Sequence, residues 1–138
     1  MLRQNTFRTF AQRSEFMDKY KAKVIAIGTM VEDLLSQGLV VLFDSTAPKE
    51  LQEIAVVHTG GTLARDVIQG DSMILGNSVY TVTAVGEVAN RNLNNIGHVC
   101  LKFDARPSPE LPGDIHLKGE KLPVINEGDD IIIKCDKA

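Results

Sequence analysis

"SVYTVTAVGEV", residues 78–88, is the longest β-rich run in the chain. In an extended backbone, Val79, Thr81, Thr83 and Val85 stand on one side and Tyr80, Val82 and Ala84 on the other. Before it, Leu75 and Asn77 flank Gly76 and predict a turn. After it, "NRNLNNI", Asn90 to Ile96, is polar, with Leu93 and Ile96 at helical spacing. That pattern predicts a short helix ending at Gly97.

The neighbouring segments repeat the period of two. "KAKVIAIGTM", Lys21 to Met30, and "GLVVLF", Gly38 to Phe43, read as strands. Val31 to Gln37 between them reads as a turn or a single helical turn. Ser45-Thr46-Ala47-Pro48, followed by Glu50-Leu51-Gln52-Glu53, reads as a short helix with a hydroxyl cap and a first-turn proline. Ile54 to His58 and His98 to Phe103 are further strands. Arg106 to Pro112 carries three prolines and is a loop. Asp114 to Leu117 and Asp130 to Cys135 complete the set. Many short strands, frequent glycines and no long amphipathic helix predict an all-β fold, a barrel or a sandwich. Closure removes the edges that short strands would otherwise expose. The expectation is a small closed or partly closed β-barrel of short strands with one or two short helices.

The 138 residues suffice for one core and are expected to form a single domain over 17–138. A formal charge of −3 argues against nucleic-acid binding. No run reaches the roughly 18–20 apolar residues of a bilayer span. Cys100 and Cys135 sit in VCLKF and IIIKC, with neither zinc spacing nor a disulfide framework. Both are expected to be buried small hydrophobes in a reducing cytoplasm. Residues 1–16 contain Arg3, Arg8 and Arg13 and one acid, Glu15. They read as a vector-derived or disordered leader, with Met17 as the native start, or as an organellar transit peptide.

No serine sits in a nucleophile elbow, and no Gly-x-x-x-x-Gly-Lys loop is present. Asp129 and Asp130 are adjacent, so on a strand they point to opposite faces and make a poor glycosidase pair. The histidines are three, His58, His98 and His116. No local H-x-x-x-H spacing supports a zinc site, and neither metal nor other cofactor is expected. His116 in DIHLK suits a structural role. His98 either satisfies backbone at a helix–strand junction or assists a site.

His58 ends "IAVVHTGG", residues 54–61. On the residues alone, a structural role stands beside a nucleophilic one. An imidazole nitrogen can attack phosphorus and form a phosphoramidate. That chemistry wants the ring exposed at the tip of a rigid element, with one nitrogen fixed by a hydrogen bond. It also wants donors for phosphate oxygens. The amides of Thr59, Gly60 and Gly61 can form a nest, the Thr59 hydroxyl adds a donor, and Arg65 is near in sequence.

Two longer segments carry a resemblance. They are "VYTVTAVGEVANRNLNNIGHVCLKFD", residues 79–104, and "ELPGDIHLKG", residues 110–119. The matching elements are Thr83-Ala84-Val85-Gly86, Asn92-Leu93, Gly97-His98, Phe103-Asp104 and Pro112-Gly113-Asp114-Ile115-His116. Upstream, "APKELQEIAVVHTGGTL" fits an A-P-x-x-L…H-x-x-G segment. From about residue 20 onward the chain resembles the sorbitol (glucitol)-specific IIA component of the bacterial phosphoenolpyruvate-dependent sugar phosphotransferase system.

The resemblance implies a small β-barrel phosphocarrier in the cytoplasm. It implies a phosphoryl group taken from phospho-HPr and passed to a cysteine of the sorbitol-specific IIB domain of the IIB/IIC permease. The family's phosphorylated histidine falls on His58. Some relatives have a second histidine two residues later, where this chain has Gly60. That departure removes both a competitor and a helper, and leaves His98 as the candidate partner. Contact with the membrane is expected only through the permease. A non-catalytic regulatory barrel that binds a sugar or a protein is the alternative from another class, and a metal-dependent sugar enzyme using all three histidines is a further one.

Overall fold

In a computed structural model, which describes residues 18–135, the run from Ser78 is strand β5, Ser78–Val85. Its parity is as read: Tyr80, Val82 and Ala84 are buried and Val79 and Thr81 exposed. The strand stops before Gly86 and Glu87, and helix α3, Ala89–Ile96, follows. The expected leader over residues 1–16 lies outside the described residues.

The other strands are β1 (Asp18–Ile27), β2 (Leu39–Asp44), β3 (Ala55–His58), β4 (Ser72–Leu75), β6 (Val99–Lys102), β7 (Asp114–Lys118) and β8 (Asp130–Lys134). They close into a barrel in the order β1-β3-β2-β6-β7-β5-β4-β8. Two pairs, β2 with β3 and β6 with β7, are parallel, and the remaining pairs are antiparallel. Closure leaves no unpaired edge among these strands. Strand β4, SMIL, pairs with β5 across the Gly76 turn, where φ is +60°. The sequence pattern predicts the turn at Gly76 but not the strand before it. Four residues of mixed character give too short a period to stand out.

Parallel neighbours need a crossover. Between β2 and β3 it contains helix α2, Lys49–Gln52, whose first residue follows Pro48. No hydroxyl caps it. The Asp44 carboxylate instead takes the amide and hydroxyl of Thr46 in the preceding turn. Helix α1, Val31–Ser36, leads into β2. With α3 this makes three short helices among the described residues, against one or two expected. The segment VEDLLS extends past a single turn, and Glu32 and Asp33 in its first turn complement the helix dipole. No described helix is long and apolar enough to cross a membrane.

Inward side chains from every strand form the main core, with Leu42, Met73, Leu101, Ile115 and Ile133 fully buried. Helix α3 contributes Ala89 and Leu93 to that core. Burying Leu93 stabilises the packing of α3 by about 2 kcal/mol. Outward side chains of β2 and β3 form a second, smaller cluster of Val41, Phe43, Ala55 and Val57 with Ala47. Cys100 packs at its margin. Neither cysteine is in a disulfide, and both are half-buried rather than buried: Cys100 falls on the outward parity of β6, and Cys135 lies past the end of β8.

Candidate functional site

Along β3, Ala55 and Val57 face the outer cluster, while Val56 belongs to the barrel core. Period-two parity therefore turns His58 inward with Val56. Register sets it against Asp44 of β2 and Val24 of β1, with a bulge between Val24 and Ala26. His58 is 0% exposed. The expectation of a ring presented at an exposed tip is thus corrected. The glycines after His58 turn the chain, but strand parity points the ring under the end of α3. Gly97, the left-handed C-cap of that helix with φ +62°, lies directly on it. A Cβ at Gly97 would stand 2.5 Å from His58 Cε1, so only glycine allows this approach.

Both ring nitrogens have backbone partners. The Gly60 amide donates to Nδ1 at 2.9 Å. The lone pair is therefore on Nδ1 and the proton on Nε2, which donates to the Gly97 carbonyl at 2.8 Å. Burial lowers the pKa of His58 below its ordinary 6.5, against smaller opposing effects from the Gly97 bond and the Asp44 charge. The ring is neutral at pH 7, with one tautomer selected.

Tyr20 of β1 meets this ring edge to face, with centroids 6.1 Å apart and planes at 87°. Its hydroxyl is buried and has no hydrogen-bond partner among the described residues. Burial first, and then the charge of Asp44, push its pKa up to about 12. A weak interaction with the Gly61 amide, too poorly placed to satisfy the hydroxyl, pulls the other way. The hydroxyl stays protonated.

The turn donors named from sequence are partly committed. Thr59 exchanges bonds with Lys23: its amide donates to the Lys23 carbonyl at 2.9 Å and its hydroxyl accepts from the Lys23 amide at 3.0 Å. That hydroxyl also donates to the Gly60 carbonyl. Gly60, at φ +74°, spends its amide on His58. The amide of exposed Gly61 reaches only the Tyr20 oxygen, and weakly. Arg65 is exposed in the segment that follows.

That segment is tied down by residues the sequence reading did not single out. Asn90 of α3 takes the Val67 amide at 2.7 Å and gives to the Val67 carbonyl at 3.1 Å. Asn94, one turn on, takes the Leu63 amide. Lys19, buried, bonds the Asp71 carboxylate at 2.8 Å and the Asp66 carbonyl. The asparagines at i and i+4 in NRNLNN were the available signal.

His98 stands on the other side of Gly97. It is half-buried and stacked on Phe43, with ring centroids 4.7 Å apart. Its Nδ1 lies 3.0 Å from the Leu42 carbonyl and must donate to it. His116, fully buried, gives Nδ1–H to Asp104 at 2.7 Å and takes the Glu110 amide on Nε2. It pins the proline-rich loop to β7. Among the described residues, no group of three His, Cys, Asp or Glu is arranged to hold a metal ion.

The family model described as "PTS system glucitol/sorbitol-specific IIA component" matches residues 19–132 of this chain. Two relatives named as the PTS system glucitol/sorbitol-specific EIIA component, from Shigella flexneri and from Escherichia coli (strain K12), are each 38% identical over 100 residues. That stretch is 72% of this chain and 81% of theirs. The crystal structure of a PTS system IIA component from Enterococcus faecalis V583 superposes with a TM-score of 0.72 at 31% identity. The superposition covers 80% of this chain and 96% of that one.

Proposed function

The chain belongs to the glucitol/sorbitol-specific IIA component family of the phosphotransferase system, and from that premise we propose that His58 is its phosphoryl acceptor. PTS IIA components act as phosphoryl-transfer proteins. In this reading phospho-HPr is the donor and a cysteine of the sorbitol-specific IIB domain the recipient. The protein works in the cytoplasm beside the permease during polyol uptake.

The observation that carries the reading is the state of the His58 ring. It is neutral, held in one tautomer by Gly60 and Gly97, and next to a turn built on two glycines. A neutral imidazole has the lone pair that attack on phosphorus requires. As the His58 N–P bond forms, the donor's N–P bond breaks and its electron pair returns to the donor imidazole. Onward transfer forms an S–P bond as the His58 N–P bond breaks. Each ring nitrogen already has a backbone partner, so phosphorylation at either one breaks a bond to Gly60 or to Gly97. The turn at 59–61 is the partly exposed side of this enclosure, so its displacement is the natural route for the donor.

His98 has one feature favouring it as acceptor instead. Its Nδ1–H is fixed by the Leu42 carbonyl and its Nε2 has no partner among the described residues. Incubation with phosphoenolpyruvate, enzyme I and HPr, followed by intact mass, separates the two. His58→Gln should gain no phosphoryl group, while His98→Ala should still gain one more slowly. Labelling of His58→Gln together with complete loss in His98→Ala would transfer the role to His98.

A further inference from the structure

We propose that Tyr20 binds the phosphoryl group carried by His58, its hydroxyl donating a hydrogen bond to a phosphoryl oxygen. This rests on the reading of His58 as the acceptor. Tyr20 is 1% exposed, yet its hydroxyl has no partner among the described residues. Buried polar groups are nearly always bonded, and an exception calls for a reason. The hydroxyl end of the ring lies directly beneath the turn. A Cβ on Gly61 would stand 3.4 Å from Tyr20 Cε1 and 3.5 Å from Cζ, and 2.7 Å from the Lys21 carbonyl oxygen. The same turn supplies the Gly60 amide that holds His58 Nδ1.

The inventory of donors points the same way. The Thr59 amide and hydroxyl are engaged by β1, and the Gly60 amide by His58. Beside His58 that leaves the Tyr20 hydroxyl, whose proton has no acceptor among the described residues, and the Gly61 amide, which reaches only the Tyr20 oxygen and only weakly. A phosphoryl group entering as the turn lifts would meet both, one from the backbone and one from the barrel interior. Asp44 is the acidic neighbour felt by both rings, and its charge favours keeping the proton on Tyr20. No proton leaves Tyr20 in the transfer: the N–P bond of the donor breaks, that of His58 forms, and the hydroxyl contributes only a hydrogen bond to charge on oxygen.

The test is Tyr20→Phe, with wild type, charged by enzyme I, HPr and phosphoenolpyruvate. The labelled residue is mapped by peptide mass. Label on His58 in both proteins, with transfer from phospho-HPr slowed about tenfold in the variant and its half-saturating HPr concentration unchanged, is the expected result. The phosphorus resonance of the phosphohistidine should also shift. Unphosphorylated Tyr20→Phe should melt no lower than wild type, since it loses a buried hydroxyl whose proton has no acceptor in the fold. Label on His58 with an unchanged rate and resonance would overturn this inference and leave the acceptor assignment standing. A variant that melts lower would overturn it too, because the hydroxyl then has a structural partner. Label on any residue other than His58 in wild type would overturn both.

Discussion

The Gly97 carbonyl accepts the His58 Nε2 proton at 2.8 Å and thereby ties the end of β3 to the C-cap of helix α3. The contact is possible because the helix ends in a left-handed residue with no side chain. A Cβ there would meet His58 Cε1 at 2.5 Å and Asp44 Cβ at 2.8 Å. Gly97→Ala therefore adds a clash with two rigid neighbours to the cost of a left-handed alanine. The expected loss is about 2–5 kcal/mol in urea denaturation. Gly38→Ala is the control. Its φ is +82° but nothing lies within 4 Å of the added methyl, so only about 1–2 kcal/mol should be lost. Equal losses at the two sites would mean that His58 and Asp44 yield to the methyl group.

The barrel was legible because its signal is local. Tyr80, Val82 and Ala84 announce an inward face by alternation, and Gly97 announces the helix stop. Strand β4 escaped, since SMIL has neither alternation nor β-branched richness, and only its pairing with β5 and β8 makes it a strand. His58 was legible as a special residue, but its burial was not. Whether a strand's last residue points in or out follows from parity along β3. What covers it follows from Gly97, thirty-nine positions away. Tyr20 and Asp44 reach the site through the registers of β1 and β2, and no stretch of sequence records those.

Asn90 is a second tie between α3 and the chain after His58. It makes both amide bonds to Val67, a residue 1% exposed. Asn90→Ala leaves a buried amide and carbonyl without partners, at a cost of about 1–3 kcal/mol. The loss should be local. Hydrogen exchange should speed up at Val67 and Leu63 while the amides of β2 and β6 keep their protection. Equal acceleration throughout would show that Asn90 supports the whole barrel.

Lys19 and Asp71 form a buried ion pair at 2.8 Å that closes the same segment onto β1. Removing one partner strands the other charge. Lys19→Met should cost about 3–5 kcal/mol. The double variant Lys19→Met/Asp71→Asn removes both charges and keeps an acceptor for the Ile68 amide. It should recover at least half of that loss. A double variant as unstable as the single one would show that Lys19 matters for its bond to the Asp66 carbonyl rather than for its charge.

The pH dependence of stability carries the signature of His58. In the unfolded chain its imidazole titrates near the ordinary 6.5, and in the folded protein burial holds the value lower. Between those two values the unfolded state binds a proton that the folded state does not. Stability is therefore fully present above about pH 6.5 and declines as pH falls from there toward the folded pKa. Protonation of the folded ring would also put a second proton on Nδ1, against the Gly60 amide that donates to it. His58→Gln has no such titration, so its stability should be flat across this window, though lower at pH 7 for want of the two ring bonds. Urea midpoints at half-unit intervals between about pH 7.5 and 5 measure both slopes. An identical decline in the two proteins would place the titration on another group and remove the evidence that His58 is held neutral by burial.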